Sequence, residues 1–97
     1  MRLDVDHEAL ERFCRENHIR RLALFGSVLR EDFGPQSDVD VLVEFEAGTR
    51  MGLMGLTRVE LELTALLGRK VDLNTPKGLH HRFRDRVLAE AEVLYAA

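Results

Sequence analysis

A single cysteine, Cys14, is all the thiol this chain carries. No internal disulfide can form, and a reducing compartment is the expectation. Cys14 falls in an apolar helical stripe and reads as a core residue more than as a reactive thiol. No stretch approaches the ~20 apolar residues of a membrane span. The opening residues, Met1 to Glu8, hold no apolar segment of the kind a signal peptide needs, so a cytoplasmic protein with no membrane association is expected. An excess of positive charge is also missing. The formal net charge is −3, which gives no global pull toward duplex DNA or anionic lipid. Repeats, low-complexity tracts and interdomain linkers are absent from the sequence. Its 97 residues leave room for one domain spanning 1–97. Such a body buries somewhat over ~60% of its unfolded surface, enough for one modest core without a deep, self-contained substrate chamber.

What is present is the composition of a folded globular protein, 45% hydrophobic and 32% charged. The charge is uneven: acids dominate from Asp38 to Glu46, while Arg82, Arg84 and Arg86 cluster near the C-terminus. Hydrophobic periodicity predicts a helix over 6–17 with Asp6 as its N-cap, then a buried strand over 19–25 stopped by Gly26-Ser27. A short helix over about 28–32 precedes the Gly34-Pro35 turn. Residues 38–45 form the clearest strand, with Val39, Val41 and Val43 on one face and Asp38, Asp40 and Leu42 on the other. A leucine-rich helix over 52–67 closes at Gly68. Lys70-Val71-Asp72-Leu73 is a short strand, Thr75 to Gly78 punctuates, and a last helix covers about 79–91. The tail from Glu92 to Ala97 reads equally as strand or coil.

The expected order is αβαβαβα, an α/β (α+β) arrangement of a small sheet flanked by helices. The excursion between the first two strands is shorter than a usual parallel crossover. Those strands are therefore expected antiparallel, which makes the sheet mixed. It also sets Gly26-Ser27, at the end of one strand, beside Asp38 and Asp40 at the start of the next.

Asp38 and Asp40 direct their carboxylates the same way from Cα atoms about 6.6 Å apart. At an effective dielectric of 20 such charges repel by roughly 2–3 kcal/mol. An isolated Asp-x-Asp is most often a solvated strand face. Here the strand is otherwise apolar, a third acid, Asp72, lies between Val71 and Leu73 on another short strand, and Gly-Ser precedes the pair. Oxygen-only donors at this spacing suit Mg²⁺, which keeps waters and takes phosphate oxygens beside one or two carboxylates. Gly26 permits close backbone approach to an anion, the helix start after it offers free N–H groups, and the Ser27 hydroxyl adds a hydrogen bond. Phosphate donors next to a carboxylate-held metal are what phosphoryl or nucleotidyl transfer needs.

Gly26-Ser27, ten residues, then Asp38-Val39-Asp40 resembles the signature of the DNA polymerase β-like nucleotidyltransferase superfamily. The fuller stretches, Gly26 to Arg30, Ser37 to Phe45 and Gly68 to Leu73, resemble its minimal nucleotidyltransferase branch across nearly the whole chain. The resemblance implies that superfamily's mixed-sheet fold, two Mg²⁺ sites and ATP as substrate. It implies that Asp38 and Asp40 hold metal and triphosphate. Asp72 would complete the metal set and help activate the attacking hydroxyl, by coordination or as a general base. Gly26, Ser27, Arg30 and Ser37 are the implied nucleotide contacts, with Ser37 also able simply to cap or orient the strand. Glu31 departs from the branch, which usually has glycine there; an acid near the phosphates disfavours them unless it turns outward.

Stand-alone domains of this branch are typically antitoxins paired with a HEPN-type ribonuclease toxin, and the activity implied is AMP transfer from ATP to a toxin tyrosine. Two other readings differ in kind: an antitoxin that acts by binding alone, and a nucleotidyltransferase for a small molecule. The acidic triad argues against the first, and the lack of an acceptor-gripping domain against the second. The remaining features are blander. His80-His81 diverge by about 100° on a helix, which disfavours a shared metal. Arg82, Arg84 and Arg86 read as a solvated helix face, with an acceptor surface as the sharper alternative. Met51, Leu53, Met54 and Leu56 exceed what one helix face needs, so some are candidates for a protein interface.

Overall fold

A computed structural model of the chain describes residues 5–26, 38–78 and 81–97. The first helix, α1 (His7–Glu16), starts where the Asp6 carboxylate accepts hydrogen bonds from the Glu8 and Ala9 amides at 3.1 and 3.2 Å. Such a cap satisfies donors that the first turn would otherwise leave open, worth about 1 kcal/mol. Leu10, Phe13 and Cys14 form its buried face. Burial pushes the Cys14 thiol up to about 12, so it is a neutral core residue, as its place in the stripe suggested.

Strands β1 (Ile19–Phe25) and β2 (Val39–Phe45) follow and pair antiparallel, Leu22 opposite Val43 and Leu24 opposite Val41. These four side chains are buried on one face of the sheet, the face that α1 and α2 cover. Helix α2 (Leu53–Leu67) buries Val59, Leu63 and Leu67 at four-residue spacing and ends on Gly68, whose φ of 69° needs no Cβ accommodation. Each fully buried valine or leucine of this core stabilises the fold by about 1.5–3 kcal/mol. The chain then enters β3 (Val71–Asn74), which pairs parallel with β2; α2 is the crossover between them. A 3₁₀ turn (Pro76–Gly78) leads to α3 (His81–Glu90).

The ambiguous tail resolves as a strand, β4 (Glu92–Ala96), paired antiparallel with β1. The sheet order is β3-β2-β1-β4, four strands of mixed direction. The expected αβαβαβα order is therefore corrected at its end, where a fourth strand follows the last helix. Its predicted helix over 28–32 and the Gly34-Pro35 turn lie outside the described residues. No helix among the described residues is long and apolar enough to cross a membrane.

Candidate active site

Strand parity decides where the acids go. Val39, Val41 and Val43 are fully buried toward the helices, so Asp40, between the first two, must emerge on the opposite face. The same holds for Asp72, which lies between buried Val71 and half-buried Leu73. Register then brings the two together. Val39 pairs with Val71 and Asp40 with Asp72, and the Val39 amide donates to the Lys70 carbonyl at 2.8 Å. Adjacent strands lie about 4.8 Å apart, so the two carboxylates stand side by side on one face. Asp40 is half-buried and Asp72 exposed. Asp38, exposed just ahead of β2, shares their side by alternation.

The third wall comes from the end of β1. Phe25 pairs with Asp40, which carries Gly26 alongside the Asp40 side chain. Gly26 adopts a φ of 73°, and a Cβ placed on it would lie 3.2 Å from the Asp40 carboxyl carbon and closer still to one carboxylate oxygen. Glycine is thus required here twice, by conformation and by space. Ser27, Arg30, Ser37 and Glu31 lie outside the described residues, so the phosphate contacts expected of them carry no structural description.

Glu44, further along the same acidic segment, has different partners. It bonds Arg20 at 2.8 Å and lies 3.8 Å from Arg21, a surface cluster at the far end of β2. The arginine group on α3 fits its blander reading in part: Arg82 and Arg86 are exposed, and Arg86 pairs with Glu90 one turn on at 3.2 Å. His80, and with it the adjacent-histidine pair, lies outside the described residues. Lys77 is exposed in the 3₁₀ turn after β3.

Sequence reading passed over two side chains that shape this site. The Glu60 carboxylate accepts from the Leu73 amide at 2.9 Å, and the Thr64 hydroxyl accepts from the Val71 amide at 3.1 Å. Both reach from α2 to β3 and flank Asp72. The available signal was two polar residues one turn apart in a leucine-rich helix.

Among the described residues, no three His, Cys, Asp or Glu side chains are drawn together as a finished metal cage. The donors that do converge are all oxygen, and the neighbouring backbone is tight and lacks a side chain. Such a site suits a hard cation that keeps its own waters and brings phosphate oxygens with it. Adjacent carboxylates at the strand starts with a left-handed glycine beside them are compatible with a phosphate-bearing substrate.

Comparison with known proteins places the chain further. Residues 7–94 match the nucleotidyltransferase domain family. A chain of Methanocaldococcus jannaschii assigned provisionally as a protein adenylyltransferase is 40% identical over 73 residues, 75% of this chain and 76% of that one. The protein adenylyltransferase MntA of Thermococcus cleftensis is 38% identical over 72 residues, 74% of this chain and 71% of its own. Among solved structures, a chain described provisionally as a minimal nucleotidyltransferase is 40% identical, with a TM-score of 0.71 over 88% of this chain and 85% of that one. A chain from the complex of a tri-AMPylated Shewanella oneidensis HEPN toxin with an MNT antitoxin shares the fold at a TM-score of 0.66 and 18% identity, over 94% of this chain and 70% of that one. The chain belongs to the nucleotidyltransferase domain family, in its minimal branch, and it is a nucleotidyltransferase.

Proposed function

We propose that this chain transfers AMP from ATP to a hydroxyl, that of a tyrosine, on a partner HEPN-type toxin in the cytoplasm, and so acts as its antitoxin. The observation that carries this reading is the register that sets Asp40 beside Asp72 with Gly26 closed against Asp40. The MntA relative, named as a protein adenylyltransferase, and the fold shared with a chain from the complex of an AMPylated toxin with an antitoxin support a protein acceptor. So do Met54 and Leu61, 88 and 64% exposed and two turns apart on the side of α2 turned away from the sheet, with Leu53 82% exposed at the helix start. Exposed apolar side chains of this kind suit contact with a protein partner.

In this reading Asp38, Asp40 and Asp72 would hold Mg²⁺, in two sites, while Gly26, Ser27, Arg30 and Ser37 would contact the nucleotide. The cation, when bound, offsets the negative charge of the triphosphate and of the carboxylates around it. Asp40 is fixed from both sides, by Gly26 and by the β3 pairing, which keeps its carboxylate in place without reorganisation during transfer. The acceptor oxygen forms a bond to the α-phosphorus. The bond from that phosphorus to the oxygen bridging the β-phosphate breaks, and pyrophosphate leaves with the electron pair. Asp72, exposed and free to meet an incoming protein, activates the hydroxyl and, as its base, receives the proton.

The test is intact mass of both proteins after incubation of the purified chain with Mg²⁺, labelled ATP and the product of the neighbouring gene. Mass gains of one or more AMP units on the partner, lost with Asp40→Asn, are expected. A stable, silencing complex with no mass gain would replace the reading with that of a binding antitoxin.

A further inference from the structure

Strand β3 is four residues long and lies at the edge of the sheet, bonded to a strand on one side only. In an extended strand, the backbone groups of successive residues point alternately to either side. The Lys70 carbonyl bonds β2, so the groups of Lys70, Asp72 and Asn74 face β2, and those of Val71 and Leu73 face outward. Outward groups on a short edge strand are ordinarily left to solvent, and such edges fray. Here both outward amides are taken by side chains of α2, Val71 by Thr64 and Leu73 by Glu60. Asp72 sits between the two.

We infer that Glu60 and Thr64 are positioning residues for nucleotidyl transfer: as a surrogate fifth strand, they lock the register that holds Asp72 abreast of Asp40. This rests on the assignment of Asp72 to the catalytic site and extends it to the residues that place it. The register matters because a one-residue slip of β3 turns Asp72 into the helix-covered core and a valine or leucine onto the site face. A two-residue slip keeps the face but moves the carboxylate by about 6.6 Å. Neither arrangement leaves the carboxylates adjacent. Glu60 and Thr64 are one helical turn apart, and Val71 and Leu73 two strand residues apart. Those spacings, about 6 and 6.6 Å, match closely enough for one helix face to serve both amides. The Thr64 carbonyl also accepts from the Gly68 amide at 2.9 Å, at the turn that launches the chain toward β3. Helix end and strand start are thus tied through one residue.

The role requires an acceptor at position 60, not a charge. Glu60→Gln keeps a carbonyl oxygen that can reach the Leu73 amide; Glu60→Ala removes it. The experiment measures transfer rate and the KM for ATP, together with amide hydrogen exchange of Leu73, for wild type, Glu60→Ala, Glu60→Gln and Thr64→Val. Glu60→Ala is expected to exchange Leu73 faster and to lose ~10–100-fold in kcat, the scale of a small misplacement of a reacting group. Its KM for ATP should change by less than about threefold, because Asp38, Asp40 and Gly26 are untouched. Glu60→Gln should recover both rate and protection. Faster exchange at Leu73 with kcat unchanged overturns the positioning role, and equal losses in Glu60→Ala and Glu60→Gln overturn the acceptor argument. Asp72→Asn, run beside them, separates the two levels. Full transfer by that variant removes Asp72 from the chemistry and the proposal with it, whereas its inactivity with an unaffected Glu60→Ala condemns the positioning role alone.

Discussion

Gly26 and Asp40 meet across the β1–β2 pair at a distance that leaves no room for a methyl group, since a Cβ on Gly26 would run into the Asp40 carboxylate. The contact couples two requirements that are usually separate, the left-handed φ of 73° at Gly26 and the rotamer of the acid beside it. Gly26→Ala is therefore predicted to cost about 1–2 kcal/mol in stability from the backbone alone and more from the displaced carboxylate. Transfer should fall by ~100-fold or more as Asp40 is pushed aside. Urea titration in two backgrounds separates the parts: with Asp40→Ala already present, only the backbone cost should remain. An identical cost in both backgrounds would show that the contact is not what makes glycine necessary.

Side by side, Asp40 and Asp72 also place like charges directly across a strand pair. Such pairs are destabilising by up to about 1 kcal/mol. Asp72→Asn should thus leave the fold intact and its melting temperature unchanged or slightly higher, while transfer drops ~10²–10⁴-fold. The same repulsion predicts that added Mg²⁺ raises the melting temperature of the wild type and does so less in Asp40→Asn. Chelation should stop transfer reversibly. Thermal melts with and without Mg²⁺, alongside the labelled-ATP assay, test all of this; a marked loss of stability in Asp72→Asn would mean that its carboxylate is a structural ligand.

How far this could be read from the chain alone depends on the range of the interaction. The alternation of Val39, Val41 and Val43 with the aspartates is a two-residue rule and gave both the strand and the face on which the acids emerge. Asp6 and Gly68 act within a helical turn and marked their helix ends equally well. The antiparallel pairing of β1 and β2 followed from a connection too short for a crossover. The tail was different: Glu92 to Ala96 is a strand because β1 offers it a free edge, a partner more than 65 residues away in sequence. Glu60 and Thr64 belong to the same category. Nothing local separates a glutamate that seals an edge strand from one that faces water, and only the docking of α2 on β3 does so.

Cys14 yields a prediction about alkaline pH. Its thiol, ordinarily at 9.0, is pushed up to about 12 by burial. The unfolded chain therefore releases the proton first, so the contribution to stability is complete below pH 9 and is lost progressively between pH 9 and 12. Comparison of wild type with Cys14→Ala by denaturant titration isolates this slope, since other alkaline groups are common to both. The same burial predicts that a thiol reagent at pH 8 labels the protein only in denaturant. Rapid labelling of the native protein would contradict the core placement of this residue.

The exposed face of α2 offers the most direct test of a protein partner. Leu53 and Met54 stand 82 and 88% exposed and Leu61 64%, on a helix whose other face already fills the core with Val59, Leu63 and Leu67. Being solvated in the isolated chain, Met54 and Leu61 contribute little to folding, and their replacement by glutamate should change stability by no more than about 0.5 kcal/mol. If the stripe meets the acceptor protein, the same substitutions remove apolar anchors from an interface, where single residues contribute about 2 kcal/mol or more at a hot spot. Met54→Glu/Leu61→Glu should then weaken the complex at least ~30-fold and slow transfer at limiting partner. Saturating partner should restore the rate, because the carboxylate site is on the other side of the sheet. Calorimetric titration and partner-dependent kinetics measure the two effects together. Unchanged affinity would assign the acceptor contact to another surface, with the arginines of α3 next to be tested; a rate that stays low at saturation would mean that α2 acts on the chemistry and not on docking.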